Sequence, residues 1–111
     1  MEQQNNPGTQ EIIYNVTVKV AEALAEQWLH WLLHEHIPQI MGTGCFTHYR
    51  VARLLEVDDS EGPTYAVQYH AASMEMYRRY LDEHSVQLRN KSFEKWGNGF
   101  IAFRSVLEVV Q

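Results

Sequence analysis

The sequence predicts a small α+β domain in which two helices cover one face of a four-stranded antiparallel sheet, in the order βαββαβ. Three observations predict it. Four runs rich in Val, Tyr, Thr and Phe read as strands, and two of them alternate cleanly at period two, as half-buried strands do. Between the first and second runs, and again between the third and fourth, the apolar spacing lengthens to that of a helix. An acidic loop containing Gly62-Pro63 separates the second and third runs, as a hairpin requires.

The first strand covers residues 11–20, where Tyr14, Val16, Val18 and Val20 alternate with Asn15, Thr17 and Lys19. A helix follows over residues 21–36. Its stripe runs through Ala25, Leu29, Leu32 with Leu33, His36 and Ile40, with Leu24, Trp28 and Trp31 beside it. Pro38 has no N–H to donate, so the helix is expected to kink or end near residues 35–37. Gly42 and Gly44 punctuate its exit. Residues 46–57 form the second strand, residues 58–63 the loop and residues 64–71 the third strand, with Tyr65, Val67 and Tyr69 on one side and Ala66, Gln68 and His70 on the other. Ser73 suits the N-cap of a second helix, with Glu75 in its first turn. Tyr77, Tyr80, Leu81, His84 and Leu88 share a face of that helix. Residues 91–96 either continue it or form a short separate turn. Gly97-Asn98-Gly99 stops it, and residues 100–110 form the fourth strand. Two split βαβ halves around a hairpin are the ferredoxin-like arrangement.

The halves echo each other. Tyr14-Asn15-Val16-Thr17-Val18 matches Tyr65-Ala66-Val67-Gln68-Tyr69, Glu35-His36 matches Glu83-His84, and Gly42-Thr43-Gly44 matches Gly97-Asn98-Gly99. Residues 1–10 are polar and are expected to be a disordered tail. Residues 11–111 make one domain. The tail has no basic and apolar signal-peptide pattern, and no apolar stretch approaches the ~20 residues of a membrane span. The expected setting is therefore cytoplasmic, with no membrane partner.

At 45% apolar and 12% aromatic residues the 111-residue chain can fill a core without a staple, and its single Cys45 cannot form an internal disulfide. The net charge of -5, with nine Lys and Arg set among fourteen acids, lacks the basic stripe of a nucleic-acid binder. Tyr65 and Tyr69 are expected to face the helices, not an RNA strand. Trp28, Trp31, Tyr77 and Tyr80 read as core. No Gly-x-Ser-x-Gly elbow, phosphate loop or dinucleotide fingerprint is present, and no base is tied to Cys45. No cofactor and no metal are expected. The pair His30 and His34, one turn apart with Glu26 before it, falls on the solvent stripe and reads as an adventitious surface site.

Helices on one face leave the other open. From the central strands that face presents Ile13, Asn15, Thr17, Lys19, Ala66, Gln68 and His70. The outer strands are expected to add His48, Arg50, Ala52, Leu54, Phe100, Ala102, Arg104 and Val106. Packing this face against a second copy would give a homodimeric α/β barrel. Asn15, Arg50, Gln68 and Arg104 are the candidate ligand-binding residues, and His36, His48 and His70 the candidate acid–base residues. The arginines and His48 could equally pair with acids across the seam, and His36 and His84 could be core histidines bonded to backbone, His36 to a carbonyl that Pro38 leaves free in the first helix.

Trp28-Leu29-x-Trp31-Leu32, Glu35-His36-Ile37-Pro38, Thr43-Gly44-x-Phe46-Thr47, Thr64-Tyr65-x-Val67-Gln68-Tyr69 and Phe100-x-Ala102-Phe103-Arg104-x-x-Leu107-Glu108 together resemble a small, uncharacterised bacterial family found especially in Bacteroidetes. The resemblance spans residues 12–109. It implies a ferredoxin-like fold of the dimeric α/β-barrel kind and no activity. The chain departs from the family pattern after Glu83-His84, where Ser85-Val86 and Asn90-Lys91 replace Ala-Pro and a later Glu-His. His36 and Arg104 match it. By fold-level analogy such barrels include cofactor-independent monooxygenases, haem-degrading enzymes and lactone isomerases. Three functions stay open: a binder of a small apolar or anionic ligand held on Arg50 or Arg104; a cofactor-independent oxygenase or isomerase using His36, His48 or His70 on an apolar or aromatic substrate; and a structural or interaction domain whose open face is only a seam.

Overall fold

The computed structural model describes residues 10–111, so the predicted tail, Gln10 apart, lies outside the described residues. Four strands form one antiparallel sheet: β1 (Ile12–Val20), β2 (His48–Arg53), β3 (Thr64–Ala71) and β4 (Phe100–Glu108), in the spatial order β2-β3-β1-β4. Both central strands carry clean alternation, and each is flanked by a neighbour on either side. β2 is shorter than the expected 46–57, because its pairing with β3 runs only from His48 opposite His70 to Arg53 opposite Tyr65.

The register decides which side chains meet the helices. Ile12, Tyr14, Val18 and Val20 are buried on one face of β1, and Val67, Tyr69 and Ala71 on the same face of β3. Val16 stands opposite Val67 on one side and Arg104 on the other. The helix-facing row of β4 is therefore Phe100, Ala102, Arg104 and Val106. This corrects the sequence expectation, which placed those four on the open face. β4 reads FIAFRSVLE, apolar in both phases, so its own pattern cannot choose a face and its pairing with β1 does. Ile101, Phe103, Ser105 and Leu107 take the open face instead. The choice for β2 agrees with expectation: His48, Arg50 and Ala52 pair with His70, Gln68 and Ala66 there, while Leu54 lies just past the strand's end.

The first helix does not stop before Pro38. A 3-10 turn (Glu22–Leu24) leads into α1 (Ala25–Trp31), a π turn (Leu32–His36) and α2 (Ile37–Met41). The Ile37 N–H reaches back five residues to the Leu32 carbonyl. The widened turn ends just before Pro38 and lets its ring sit in a continuing helix. The extra residue also rotates the apolar stripe. Trp28, Trp31, Leu32, Ile37 and Ile40 are buried, whereas Leu33, which an unbroken stripe would bury, is exposed.

The second helix repeats the device. Ser73 caps α3 (Met74–Tyr80), its hydroxyl accepting from the Met76 N–H at 3.2 Å. A π turn (Leu81–Ser85) joins it to α4 (Val86–Trp96), so residues 91–96 continue the helix. The π turns match as Leu32 with Leu81 and His36 with Ser85, one residue out of step with the Glu-His echo. Ser85 is buried, and its hydroxyl donates to the Leu81 carbonyl at 2.8 Å.

At the centre, the Tyr14 ring lies 5.5–6.2 Å from those of Phe46, Tyr69, Tyr77 and Tyr80. Each such pair adds about 0.5–1.5 kcal/mol beyond area burial. Trp28, Trp31, Tyr77 and Tyr80 are core, and Tyr65 and Tyr69 face the helices, as expected. No helix among the described residues is long and apolar enough to cross a membrane.

Candidate functional site

Between the helices and the sheet lies a cavity with about 50 Å³ open to the centres of water-sized molecules. Its walls are Trp28 and Trp31 from α1, Val67 and Tyr69 from β3, and Tyr80 and Leu88 from the second helix. Polar side chains enter it as well, among them Tyr14, His36, Arg89, Ser92 and Arg104. A shallower groove of about 330 Å³, lined by Arg89, Phe93, Phe100 and Arg104 among others, adjoins it between α4 and β4. The two arginines stand where cavity and groove meet.

Their geometry is specific. Arg104 Nε and Arg89 Nη2 each donate to the Tyr14 hydroxyl at 3.1 Å. Arg104 reaches it because the register sets Arg104 on the helix-facing side of β4, one pair along from Tyr14. Arg89 reaches it from α4. Neither arginine has a carboxylate partner among the described residues, whose ion pairs lie elsewhere. Two guanidinium groups thus converge on one neutral oxygen. With both acceptor positions filled, the Tyr14 O–H is left to donate. Cations this close repel each other unless an anion joins them. Such an arrangement can accept an anionic group, with an apolar chamber behind it.

His36, at the end of the first π turn, closes the deep side. Its ring stacks on Trp31 at 4.5 Å, and its Nε2 lies 3.5 Å from the Ser92 hydroxyl. Nδ1 is buried and has no hydrogen-bond partner among the described residues, and the bond to a carbonyl freed by Pro38 is not formed there. Burial, and secondarily the positive charge of Arg104, pull its pKa from 6.5 down to about 4. The imidazole is therefore neutral at pH 7. Burial likewise pushes the Tyr69 and Tyr80 hydroxyls upward, so both stay protonated.

The other candidates separate by face. Asn15, Arg50 and Gln68 lie on the open face, Arg50 directly opposite Gln68 and Gln68 opposite Asn15. Asn15 Nδ2 donates to Thr17 at 3.1 Å and to Ser105 at 3.3 Å. Arg104, expected with them, is on the opposite face. His48 and His70 stack at 4.0 Å on the open face, away from the cavity, and His84 lies half-buried beside Tyr80. His30 and His34 are exposed, and His34 Nδ1 bonds the His30 carbonyl at 2.9 Å. Cys45 is buried. The residue that sequence reading missed is Arg89. Its helix offers no local signal, but it lies four residues before Phe93 and seven before Trp96, on the side that meets β4.

Residues 11–110 match the family described as Domain of unknown function (DUF4286), and the chain belongs to that family. No curated protein matches it in sequence. Among solved structures it resembles a dimeric ferredoxin-like protein from an uncultured marine organism, at 15% identity and TM-score 0.64, with 92% of this chain and 97% of that one covered. It also resembles a variant of SnoaB, a cofactor-independent oxygenase from Streptomyces nogalater, at 11% identity and TM-score 0.66, covering 92% and 95%. An EthD-like protein from Ralstonia eutropha JMP134 is similar at 14% identity and TM-score 0.66, covering 93% and 95%. At these identities the likeness establishes the ferredoxin-like fold and nothing further.

Proposed function

We propose that this member of the DUF4286 family binds a small anionic molecule with a compact apolar part, a carboxylate being the simplest case, in the cavity between sheet and helices. The observation that carries the reading is the pair Arg89 and Arg104, both bonded to the Tyr14 hydroxyl and neither facing a carboxylate among the described residues. The anion would sit on the two guanidinium groups and accept from Tyr14. Its apolar part would enter the aromatic chamber, and any longer tail would lie in the groove past Phe93. Of the two arginines expected to anchor an anion, Arg104 fits and Arg50, on the other face, does not.

The protein works as a homodimer in this reading, in the bacterial cytoplasm. Phe103 and Ile101 on the open face are 70% and 59% exposed, and Leu107 continues the row. Such a stripe is covered by an equivalent sheet in a two-fold barrel, and the marine neighbour is dimeric. A second reading, a cofactor-independent oxygenase or isomerase, draws on Nδ1 of His36, which has no hydrogen-bond partner among the described residues. A pKa near 4 makes His36 a weak base at pH 7, so this reading ranks below simple binding.

Native mass spectrometry of freshly purified protein tests the proposal. A dimer with one defined anionic adduct per chain, absent from an Arg89→Gln/Arg104→Gln variant, is the expected result. An adduct retained by that variant overturns the site. A clean dimer favours the purely structural reading, and a clean monomer removes the barrel.

A further inference from the structure

At one end of the open face three strands bring Glu11, His48 and His70 together. His48 of β2 stands directly opposite His70 of β3, and Glu11 precedes β1 beside them. The imidazole rings stack at 4.0 Å with a 20° tilt. Glu11 Oε2 accepts from His70 Nδ1 at 2.6 Å. One donor atom from each of the three residues lies within 4.8 Å of the others. We propose that Glu11, His48 and His70 form a binding site for a divalent transition-metal ion such as Zn²⁺.

The contacts around the rings assign each a ligand nitrogen. The Thr47 hydroxyl lies 3.2 Å from the His70 carbonyl and 2.9 Å from His48 Nδ1. The carbonyl can only accept, so Thr47 gives its one proton there and must accept from His48 Nδ1–H. Glu11 Oε2 lies 2.6 Å from His70 Nδ1, so a bound ion would take the place of the proton between them. Histidine binds metal through a ring nitrogen that carries no proton, which leaves Nε2 of His48 and Nδ1 of His70, the nitrogen facing Glu11, to the ion. The Thr47 hydroxyl, which orients the His48 ring from behind, is the second partner such a ligand ordinarily has.

Donor type selects the metal. Two imidazoles and a carboxylate suit Zn²⁺, Co²⁺ or Fe²⁺ and not Mg²⁺ or Ca²⁺, which prefer all-oxygen shells. Tetrahedral ligands about 2.0–2.2 Å from zinc stand roughly 3.5 Å apart, so closing from 4.8 Å needs side-chain rotations of about an ångström. His48 is exposed and His70 and Glu11 are partly buried, so an ion can enter from solvent without unfolding the sheet. Three protein ligands leave a fourth position for water. The His30–His34 pair lacks these supports: His34 Nδ1 is spent on a backbone carbonyl, and no carboxylate bonds either ring among the described residues.

Titration of chelator-treated protein with ZnCl₂ by calorimetry, and with CoCl₂ by visible absorption, tests the site. The expected result is one ion per chain, with cobalt absorption bands of a low-coordinate nitrogen and oxygen site. His48→Ala and His70→Ala should each weaken zinc binding at least about a hundredfold, and Thr47→Val, a positioning change, by about tenfold to a hundredfold. His30→Ala/His34→Ala should leave it unchanged. Because His48 is exposed, His48→Ala keeps the test decisive if His70→Ala fails to fold. Wild-type affinity in His48→Ala, or loss of binding in the His30/His34 variant, overturns the proposal, as does an absence of zinc binding up to millimolar concentration.

Discussion

Acidification should weaken the fold through His36 over a defined pH window. The folded-state pKa of about 4 lies below the ordinary 6.5 because burial and Arg104 disfavour the imidazolium. The unfolded chain therefore binds this proton more tightly than the folded one. Stability from this source is complete above about pH 6.5 and is lost as the pH falls toward 4. The full difference corresponds to about 3 kcal/mol, of which about 2 kcal/mol disappears between pH 7 and pH 5. Urea unfolding followed by tryptophan fluorescence would read it, since Trp28 and Trp31 are buried. The comparison is wild type against His36→Gln, at one protein concentration, because subunit dissociation also contributes to apparent stability. Other titrating groups act in both proteins and cancel to first order. Wild type should lose about 2 kcal/mol more than the variant between pH 7 and pH 5. Parallel losses would refute the reasoning and would mean that His36 is solvated or has a proton-accepting partner on Nδ1.

Gly62→Ala should be severely destabilising, by more than about 3 kcal/mol in thermal or urea unfolding. Gly62 has φ 137°, and an added Cβ would lie 1.7 Å from the Val20 carbonyl oxygen, which pins the hairpin loop to the end of β1. A change under 1 kcal/mol would contradict that approach. Ser73→Ala removes the acceptor for the Met76 N–H and should cost about 1 kcal/mol, read as a lower urea midpoint at unchanged slope. Phe103→Asp, at the most exposed aromatic of the open face, should convert the dimer to a monomer by size-exclusion chromatography while leaving the helical circular dichroism intact. A dimer that survives the charge would show that the subunits meet elsewhere.

What the residues alone determined was the order of the elements and the inner face of the central strands. Tyr14, Val18, Val67 and Tyr69 alternate with polar residues, and that local periodicity has only one low-energy placement on a half-buried sheet. The Ser73 cap and the Gly-rich stop after the second helix are likewise local chemistry. Asn15 and Gln68 could be placed on the open face for the same reason, whereas the outer strand that carries Arg50 has no such alternation to place it. The tertiary structure decided the rest, because the deciding energies are non-local. β4 is apolar in both phases, so Arg104 reached the cavity only through pairing with β1. The first helix passes Pro38 because a π turn absorbs one residue, and it is the burial of Leu32 and Ile37 against the sheet that makes the wider turn worthwhile. Arg89 and Arg104 meet on Tyr14, and Glu11 meets His48 and His70, across strands and helices far apart in the chain. No spacing in the sequence encodes such meetings, which follow from sheet order and register.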